Sequence, residues 1–373
     1  MTRRVYIGSF TPPMGTGTGI TLADHDPVTG ELSDLRLVAE TDSPGFLAWH
    51  PALRVLYAVN GNRRSVEAFA VTEQGTLTSL GSQPTGGGEP CHLAVDPSGR
   101  FVVTADYGGG TLAVFRLDGA GGIGERTTLL RHTEPTGPNA ARQETAHVHQ
   151  ARFDASGKWL LVNDLGTDRV YVYRLDLDAG SLRPGATPWA ATRPGAGPRH
   201  LVSLSHGFVY VADELDSTVG SYTFDDSTGT LEPAQVCAST HDPVGPENYP
   251  SEIVTSGDSR FLYVANRGTD VVTTLAVDGP DVTTVADTRT GGTWPRHLAV
   301  IGDHLYVANE RSDEITIFEV DPGVGVPERV GNSVHVASPG CILADPLDLT
   351  DDEADSSSTT GEHHDRQVMG NLR

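Results

Sequence analysis

The chain alternates in a fixed phrase. A short apolar run is followed by a tight polar turn, a denser apolar run rich in Val and Tyr ending in Asp or Asn, a second polar or Gly-rich turn, and a third apolar run. Six segments repeat this phrase, beginning at Leu47, Leu93, Ala151, Leu201, Ile253 and Leu298. One example reads LAVDPSGRFVVTADYGGGTLAVFRLD from Leu93, and another IVTSGDSRFLYVANRGTDVVTTLAVD from Ile253. The starts lie roughly 45–60 residues apart, the period of β-propeller blades. Runs of this length, bounded by Asp-Pro-Ser-Gly-like turns, predict strands rather than helices. A weaker apolar run after the third strand, such as Leu77 to Gly81 or Val282 to Asp287, predicts a fourth, outermost strand. Four short antiparallel strands per unit make one blade.

The two ends complete the count. Ser338–Pro346 (SPGCILADP) repeats the opening of Glu89–Pro97 (EPCHLAVDP) and stops after one strand. The N-terminus supplies what that strand lacks: Val5 to Ser9, Gly19 to Asp24 and Leu32 to Glu40. The expectation is an all-β chain, a seven-bladed β-propeller of four-stranded antiparallel blades over residues 1–347. Pairing the C-terminal strand with the N-terminal strands closes it and removes two open sheet edges. Residues 348–373 are acidic, Ser/Thr-rich and poor in large apolar residues, the composition of a disordered tail. The longest excursion, Gly119 to Thr145, is expected to hold an outer strand near Thr127 to His132 and then a long loop; long loops in compact folds are often functional.

The strand order narrows where chemistry can sit. With antiparallel strands and the first one innermost, the start of each first strand and the end of each second strand meet at one mouth of the ring, a concave place that favours ligands. The first column reads Gly45-Phe46, Cys91-His92, His149-Gln150, Arg199-His200, Ser251-Glu252, Arg296-His297 and Gly340-Cys341. A bulge in Ala146-His147-Val148-His149 leaves the third full copy open by one residue. The second column opens with Asn60, Asp106, Asp164, Asp213, Asn266 and Asn309, a repeated short polar residue read as bonding back to its own turn. The next position varies: Gly61, Tyr107, Leu165, Glu214, Arg267 and Glu310, with Arg311 behind. Variation on a repeating backbone is where specificity is free to enter, which selects Tyr107, Glu214 and Arg267.

Composition then excludes classes. Asp+Glu 49 against Lys+Arg 26 gives a net charge of −23, which argues against phosphate-driven binding of nucleic acid. Arg supplies nearly all the positive charge, Lys158 being the one lysine, and arginine forks hold carboxylate or phosphate at two points. Cys91, Cys237 and Cys341 are odd in number and lack CxxC spacing, against a disulfide framework or zinc knuckle. The N-terminus runs into a strand without an apolar signal core, and no apolar stretch is long enough to span a bilayer, so a cytoplasmic location is expected. Neither a GxSxG elbow nor a cysteine-nucleophile motif is present. Glu214 is a candidate base, His149 a proton relay or oxyanion donor, and the arginines an anion cradle. His92, His200 and His297 come from alternate copies without ligand spacing and read as structural groups at the channel, not as a metal site.

Several motifs carry a family resemblance. Tyr6–Thr11 (YIGSFT), Glu89–Arg100 (EPCHLAVDPSGR), Asp106–Gly110 (DYGGG), Asp164–Arg169 (DLGTDR), Glu214–Val219 (ELDSTV) and Ala265–Gly268 (ANRG) resemble the seven-bladed propeller lactonases. These are the bacterial 6-phosphogluconolactonase type, related to fungal carboxy-muconate lactonising enzymes. The likeness runs from about Val5 to Pro346. It implies hydrolysis of 6-phospho-glucono-1,5-lactone to 6-phosphogluconate, a pentose phosphate pathway step, without metal or organic cofactor. The site it implies is His149, Arg199, Glu214 and Arg267. The remaining column residues (His92, Tyr107, His200, Glu252, Arg296, His297 and Arg311) are then expected to contact substrate. Gln150 stands where relatives carry a small residue, and Asp213 where Asn is usual, which is expected to raise the pKa of Glu214 by like-charge proximity. The expected partner is a small anionic sugar lactone, bound by a monomer or weak homo-oligomer. Two other readings stand beside this one. One is another lactonase or a muconate-type cycloisomerase on a carboxylate. The other is a non-catalytic binding propeller, disfavoured because Phe, Trp and Tyr make only 6% of the chain and such a disc needs apolar faces.

Overall fold

The computed structural model describes residues 3–245 and 247–346, and over them the chain is a seven-bladed β-propeller. The expected tail from 348 onward lies outside the described residues. All seven sheets have four antiparallel strands, and no α-helix occurs among the described residues. Blade 1 takes its innermost strand, Pro339–Ala344, from the C-terminal end and its other three, Arg3–Ser9, Gly19–His25 and Leu32–Glu40, from the N-terminal end. Blades 2 to 7 follow in chain order, with innermost strands Pro44–Trp49, Pro90–Val95, Val148–Phe153, Pro198–Leu204, Tyr249–Thr255 and Pro295–Ile301.

The second strand of each blade is the buried layer. Val55–Asn60, Phe101–Asp106, Leu160–Asp164, Phe261–Arg267 and His304–Asn309 are buried at every position, because both faces meet a neighbouring blade. This explains the continuous apolar runs that marked these strands in the sequence. The outer strands show the reverse. Leu77–Pro84, Ile123–Arg131 and Asp281–Arg289 extend beyond the expected runs, and the third blade's begins four residues earlier than Thr127. Their positions are mostly exposed or half-buried, so polar side chains hide their ends from a hydrophobicity reading.

Blades 1, 2, 5 and 7 are each latched to the next. The hydroxyls of Tyr6, Tyr57 and Tyr306 donate to the carbonyls of Gly75, Gly121 and Gly30 in the next blade at 2.9, 2.7 and 2.7 Å, and Tyr210 does so to Gly279. A buried tyrosine hydroxyl without such a partner costs free energy, so each latch fixes one turn of the following blade. Toward the axis, inner strands bond to one another: Leu201 N donates to Gln150 Oε1 at 2.7 Å and the Ser251 hydroxyl to the Pro295 carbonyl at 2.6 Å. Gln150 is thus a strut between blades 4 and 5.

One backbone device positions the site. The pairing of inner and second strands slips by one residue near its start in every blade. Pro44 faces Asn60 and Phe46 faces Val59; Pro198 faces Asp213 and His200 faces Ala212. The same slip occurs in the other five blades. The bulge expected in the His149 segment is therefore a property of the whole ring. A bulge places two residues opposite one and re-aims their side chains. Here it lets both members of Gly45-Phe46, Arg199-His200 and Arg296-His297 reach the same mouth.

Candidate active site

At that mouth lies a cavity of about 750 Å³. Its wall includes Gly45, Phe46, Cys91, His149, Arg199, His200, Glu252, Arg296, His297 and Gly340 from the bulged strand starts. Tyr107, Glu214 and Arg267 enter from the second-strand ends. Met14 and the Pro12-Pro13 pair give it an apolar rim. Gly45 and Gly340 are required by a close approach: a Cβ on either would lie 2.8 Å from the Phe10 ring. That ring forms a floor beneath the Arg296 guanidinium, 4.9 Å from its centroid.

The centre of the site is Glu214, 3% exposed. It follows the second strand of blade 5, and its amide donates to the Gly197 carbonyl at 2.8 Å, which fixes the bend. Oε2 lies 2.8 Å from Arg267 Nη2 and 3.2 Å from Arg199 Nε, and Oε1 lies 2.6 Å from Arg142 Nη2. Burial alone pushes this carboxyl up, but Arg267, Arg199 and Arg142 outweigh it and hold it well below the usual carboxylate range. The expected rise of Glu214 beside Asp213 is therefore not what the site shows: the three arginines set the direction. Asp213 points into its own blade, accepting from the Thr218 hydroxyl at 3.3 Å, and it is Asp213 whose carboxyl burial pushes up.

His149 stands on the bulge of blade 4, 6% exposed, its ring edge-on to Tyr107 and to His200 at 5.6 and 5.1 Å. Burial first, then the charges of Arg199 and neighbouring groups, keep it neutral far below the ordinary imidazole range. Its Nδ1 is buried with no partner. A neutral imidazole can donate one N–H to a developing oxyanion; as a stored acid it is unavailable near neutral pH.

Beneath this layer, His200 Nδ1 lies 3.0 Å from both Glu252 oxygens and His297 Nε2 lies 3.4 Å from Oε2. Burial raises Glu252, against His297 and Arg199, and lowers both histidines. His92 is not on the cavity wall; it lies under Phe46, ring centroids 3.9 Å apart, with its Nδ1 unpartnered. Arg311 is also off the wall. The chain has turned outward by that point, and its exposed guanidinium sits 3.5 Å from the Trp294 ring centroid. Of the repeated Asp/Asn column, Asp164 bonds back to its turn, its Oδ1 accepting from the amides of His147, Gly166 and Thr167 at 2.8, 3.0 and 3.1 Å; Asn60, Asp106, Asp213, Asn266 and Asn309 instead bond side chains of the following strand.

One residue in direct contact with Glu214 escaped the sequence reading. Arg142 comes from the long segment joining blades 3 and 4, within the loop marked as a functional candidate, but its column has no counterpart in other copies. Its only sequence signal is a lone cation in that loop.

The family model described as "Lactonase, 7-bladed beta-propeller" matches residues 4–344. The chain belongs to that family. It is 30% identical over 345 residues to a 6-phosphogluconolactonase of Bacillus subtilis strain 168, covering 90% of this chain and 97% of the relative. It is 29% identical to a Formosa agariphila protein of the same name, covering 89% and 96%. Among solved structures, the periplasmic gluconolactonase PpgL of Pseudomonas aeruginosa superposes with a TM-score of 0.84 at 27% identity, covering 92% of this chain and 99% of that one. No helix among the described residues is long and apolar enough to cross a membrane.

Proposed function

We propose that this lactone-hydrolysing enzyme of the propeller lactonase family opens 6-phospho-glucono-1,5-lactone to 6-phosphogluconate, as a cytoplasmic step of the pentose phosphate pathway. The observation that carries the reading is the pairing of one carboxylate, Glu214, with three guanidiniums beside a neutral His149 in a single cavity. At Glu214 itself three cations face one anion, which favours a substrate bringing negative charge of its own, while Asp42, Glu89 and Glu252 line the rest of the cavity beside Arg64 and Arg296. The names of the Bacillus and Formosa relatives support the phosphorylated substrate, and three free cysteines fit a reducing compartment.

The chemistry follows from the residues. Arg199 and Arg267 hold the anionic lactone, with Arg296 further along the wall. Water attacks the carbonyl carbon while Glu214 takes its proton. The carbonyl electron pair becomes an oxyanion that accepts the His149 N–H. Collapse breaks the bond from that carbon to the ring oxygen, which receives the proton from Glu214 and leaves as a hydroxyl.

The deciding experiment measures ring opening of the phospholactone, of unphosphorylated gluconolactone and of a carboxylated muconolactone, each corrected for spontaneous hydrolysis. Preference for the phospholactone is expected. A larger kcat/KM on either of the other two would reject the proposed substrate and favour, respectively, a gluconolactonase or a muconate-type enzyme.

A further inference from the structure

The three guanidiniums around Glu214 are held differently. Arg199 is buried and donates through Nη1 to the Ser251 carbonyl at 2.6 Å. Arg267 is buried and donates to the carbonyls of Tyr249 and Pro250 at 3.1 and 3.2 Å. Moving either one strips buried carbonyls of their donors, which is costly. The Arg142 side chain is 38% exposed, and its partners are two side chains, Glu214 Oε1 at 2.6 Å and the Tyr107 hydroxyl at 3.4 Å. It can change partner without leaving a backbone group unsatisfied.

Its backbone, in contrast, is fixed. The next residue, Gln143, is 1% exposed; its Nε2 donates to the Leu165 carbonyl at 2.8 Å and to Asp168 Oδ1 at 2.7 Å, while its Oε1 accepts from Asn139 N at 3.0 Å. Asp168 in turn accepts from the amides of Gly195 and Gly197 at 2.7 and 2.9 Å, tying the loop to blade 5. A long cationic side chain therefore hangs from a rigid anchor at the solvent side of the cavity.

The charge balance supplies the reason for it to move. In the cluster that touches Glu214, Arg142, Arg199 and Arg267 exceed it by two charges; Arg296 has its own partner in Glu310 at 3.4 Å, and Arg64 stands with Asp42, Glu89 and Glu252 elsewhere on the wall. A phosphate entering the mouth meets the accessible guanidinium first, and the planar fork of arginine suits it.

We propose that Arg142 is the specificity residue for the substrate's phosphate, releasing Glu214 Oε1 to bind it and so freeing the base only when a phosphorylated lactone is present. This rests on the lactone-hydrolase reading above. A neutral lactone offers Arg142 nothing to turn toward, so Glu214 stays clamped. After release Glu214 still faces Arg199 from blade 5 and Arg267 from blade 6, with Tyr107, neutral His149 and the Arg296–Glu310 pair further off. It stays ionised but gains basicity.

The test compares wild type with Arg142→Ala and Arg142→Lys. The ratio of kcat/KM for 6-phosphogluconolactone to that for gluconolactone is expected to fall at least about tenfold in Arg142→Ala and less in Arg142→Lys, which keeps a point charge. Calorimetric affinity for inorganic phosphate is expected to weaken at least about tenfold. The acid limb of kcat/KM on gluconolactone moves to higher pH, since one cation beside Glu214 is gone; that shift checks the contact with Glu214, while the substrate ratio and the phosphate affinity separate a specificity role from a merely structural one. A substrate ratio or a phosphate affinity within about twofold of wild type overturns the assignment. If wild type hydrolyses neither lactone above the blank, the hydrolase reading fails, and the phosphate titration alone decides the role of Arg142.

Discussion

Arg199 Nε lies 3.2 Å from Glu214 Oε2 across two neighbouring strands of one blade, both side chains almost wholly buried. Glu214→Gln keeps the shape of this pair and removes its charge and basicity. We expect kcat on the preferred lactone to fall about 10²–10⁴-fold. Inorganic phosphate should bind as well or better, because three guanidiniums lose their internal counter-ion. The same loss leaves buried cations facing one another, at a cost on the order of 3–5 kcal/mol, so turnover must be read well below the lowered unfolding temperature. Retention of full kcat would show that Glu214 is not the base.

His149 is expected to act without titrating. Its folded pKa is lowered well below that of free imidazole, so the neutral donor is present throughout about pH 5.5–8. The His149 ring resonances should not shift over that range, and kcat/KM should carry no inflection near the ordinary imidazole value from this group. His149→Ala should lower kcat about 10²–10³-fold, the loss typical of one oxyanion donor. An imidazole that titrates near the free value would restore the acid–base role considered from the sequence.

The ring was readable from sequence because every blade solves the same packing problem with the same pattern, down to the split first blade. Arg199, Glu214 and Arg267 were readable because they depart from their own repeat. Of the bulges only the one in the His149 segment was readable: when every copy carries the extra residue, alignment shows no insertion. Arg142 lies in a loop present once, so it has no repeat to depart from. His92 and Arg311 lie off the cavity wall for a geometric reason. A column gives position along a strand but not whether a ring such as Phe46 covers the residue, nor where the chain turns outward beyond the bend.

Closure of the ring makes a strong thermodynamic prediction. The innermost strand of blade 1 pairs with Arg3–Ser9, and Trp49 Nε1 donates to the Ala344 carbonyl at 2.8 Å. Asp345, 1% exposed, receives Arg4 at 3.4 Å and Arg54 at 3.2 Å. A chain ending at Ser338 exposes the inner edge of the Arg3–Ser9 strand and opens the packing between blades 1, 2 and 7. Hydrogen exchange should accelerate in blade 4, across the ring, as well as in blade 1. Protection lost in blade 1 alone would mean that blades fold independently.

Asp106 is fully buried at the end of the second strand of blade 3. Burial pushes its carboxyl up to about 6, against hydrogen bonds from Thr85, Thr104 and Thr111 that favour the ionised form. Because the folded value is raised, the native state keeps its proton to higher pH than the unfolded chain. Stability therefore falls as pH rises from about 4 to about 6, and the deficit persists above that. Other blades carry Asn here: Asn266 Nδ2 donates to the Thr273 hydroxyl at 3.0 Å and Asn309 Nδ2 to that of Thr316 at 3.1 Å. In blade 3 the place of those threonines is taken by Ala113, but Thr111 faces position 106 directly, Oγ1 to Oδ2 3.2 Å, and its hydroxyl can accept from an Asn amide as it now donates to the carboxylate. Asp106→Asn is expected to stabilise the protein by about 1–3 kcal/mol near pH 8 and by little near pH 4. Denaturant unfolding at both pH values measures the difference, and equal effects at the two would mean that ionisation of Asp106 carries no cost in this fold.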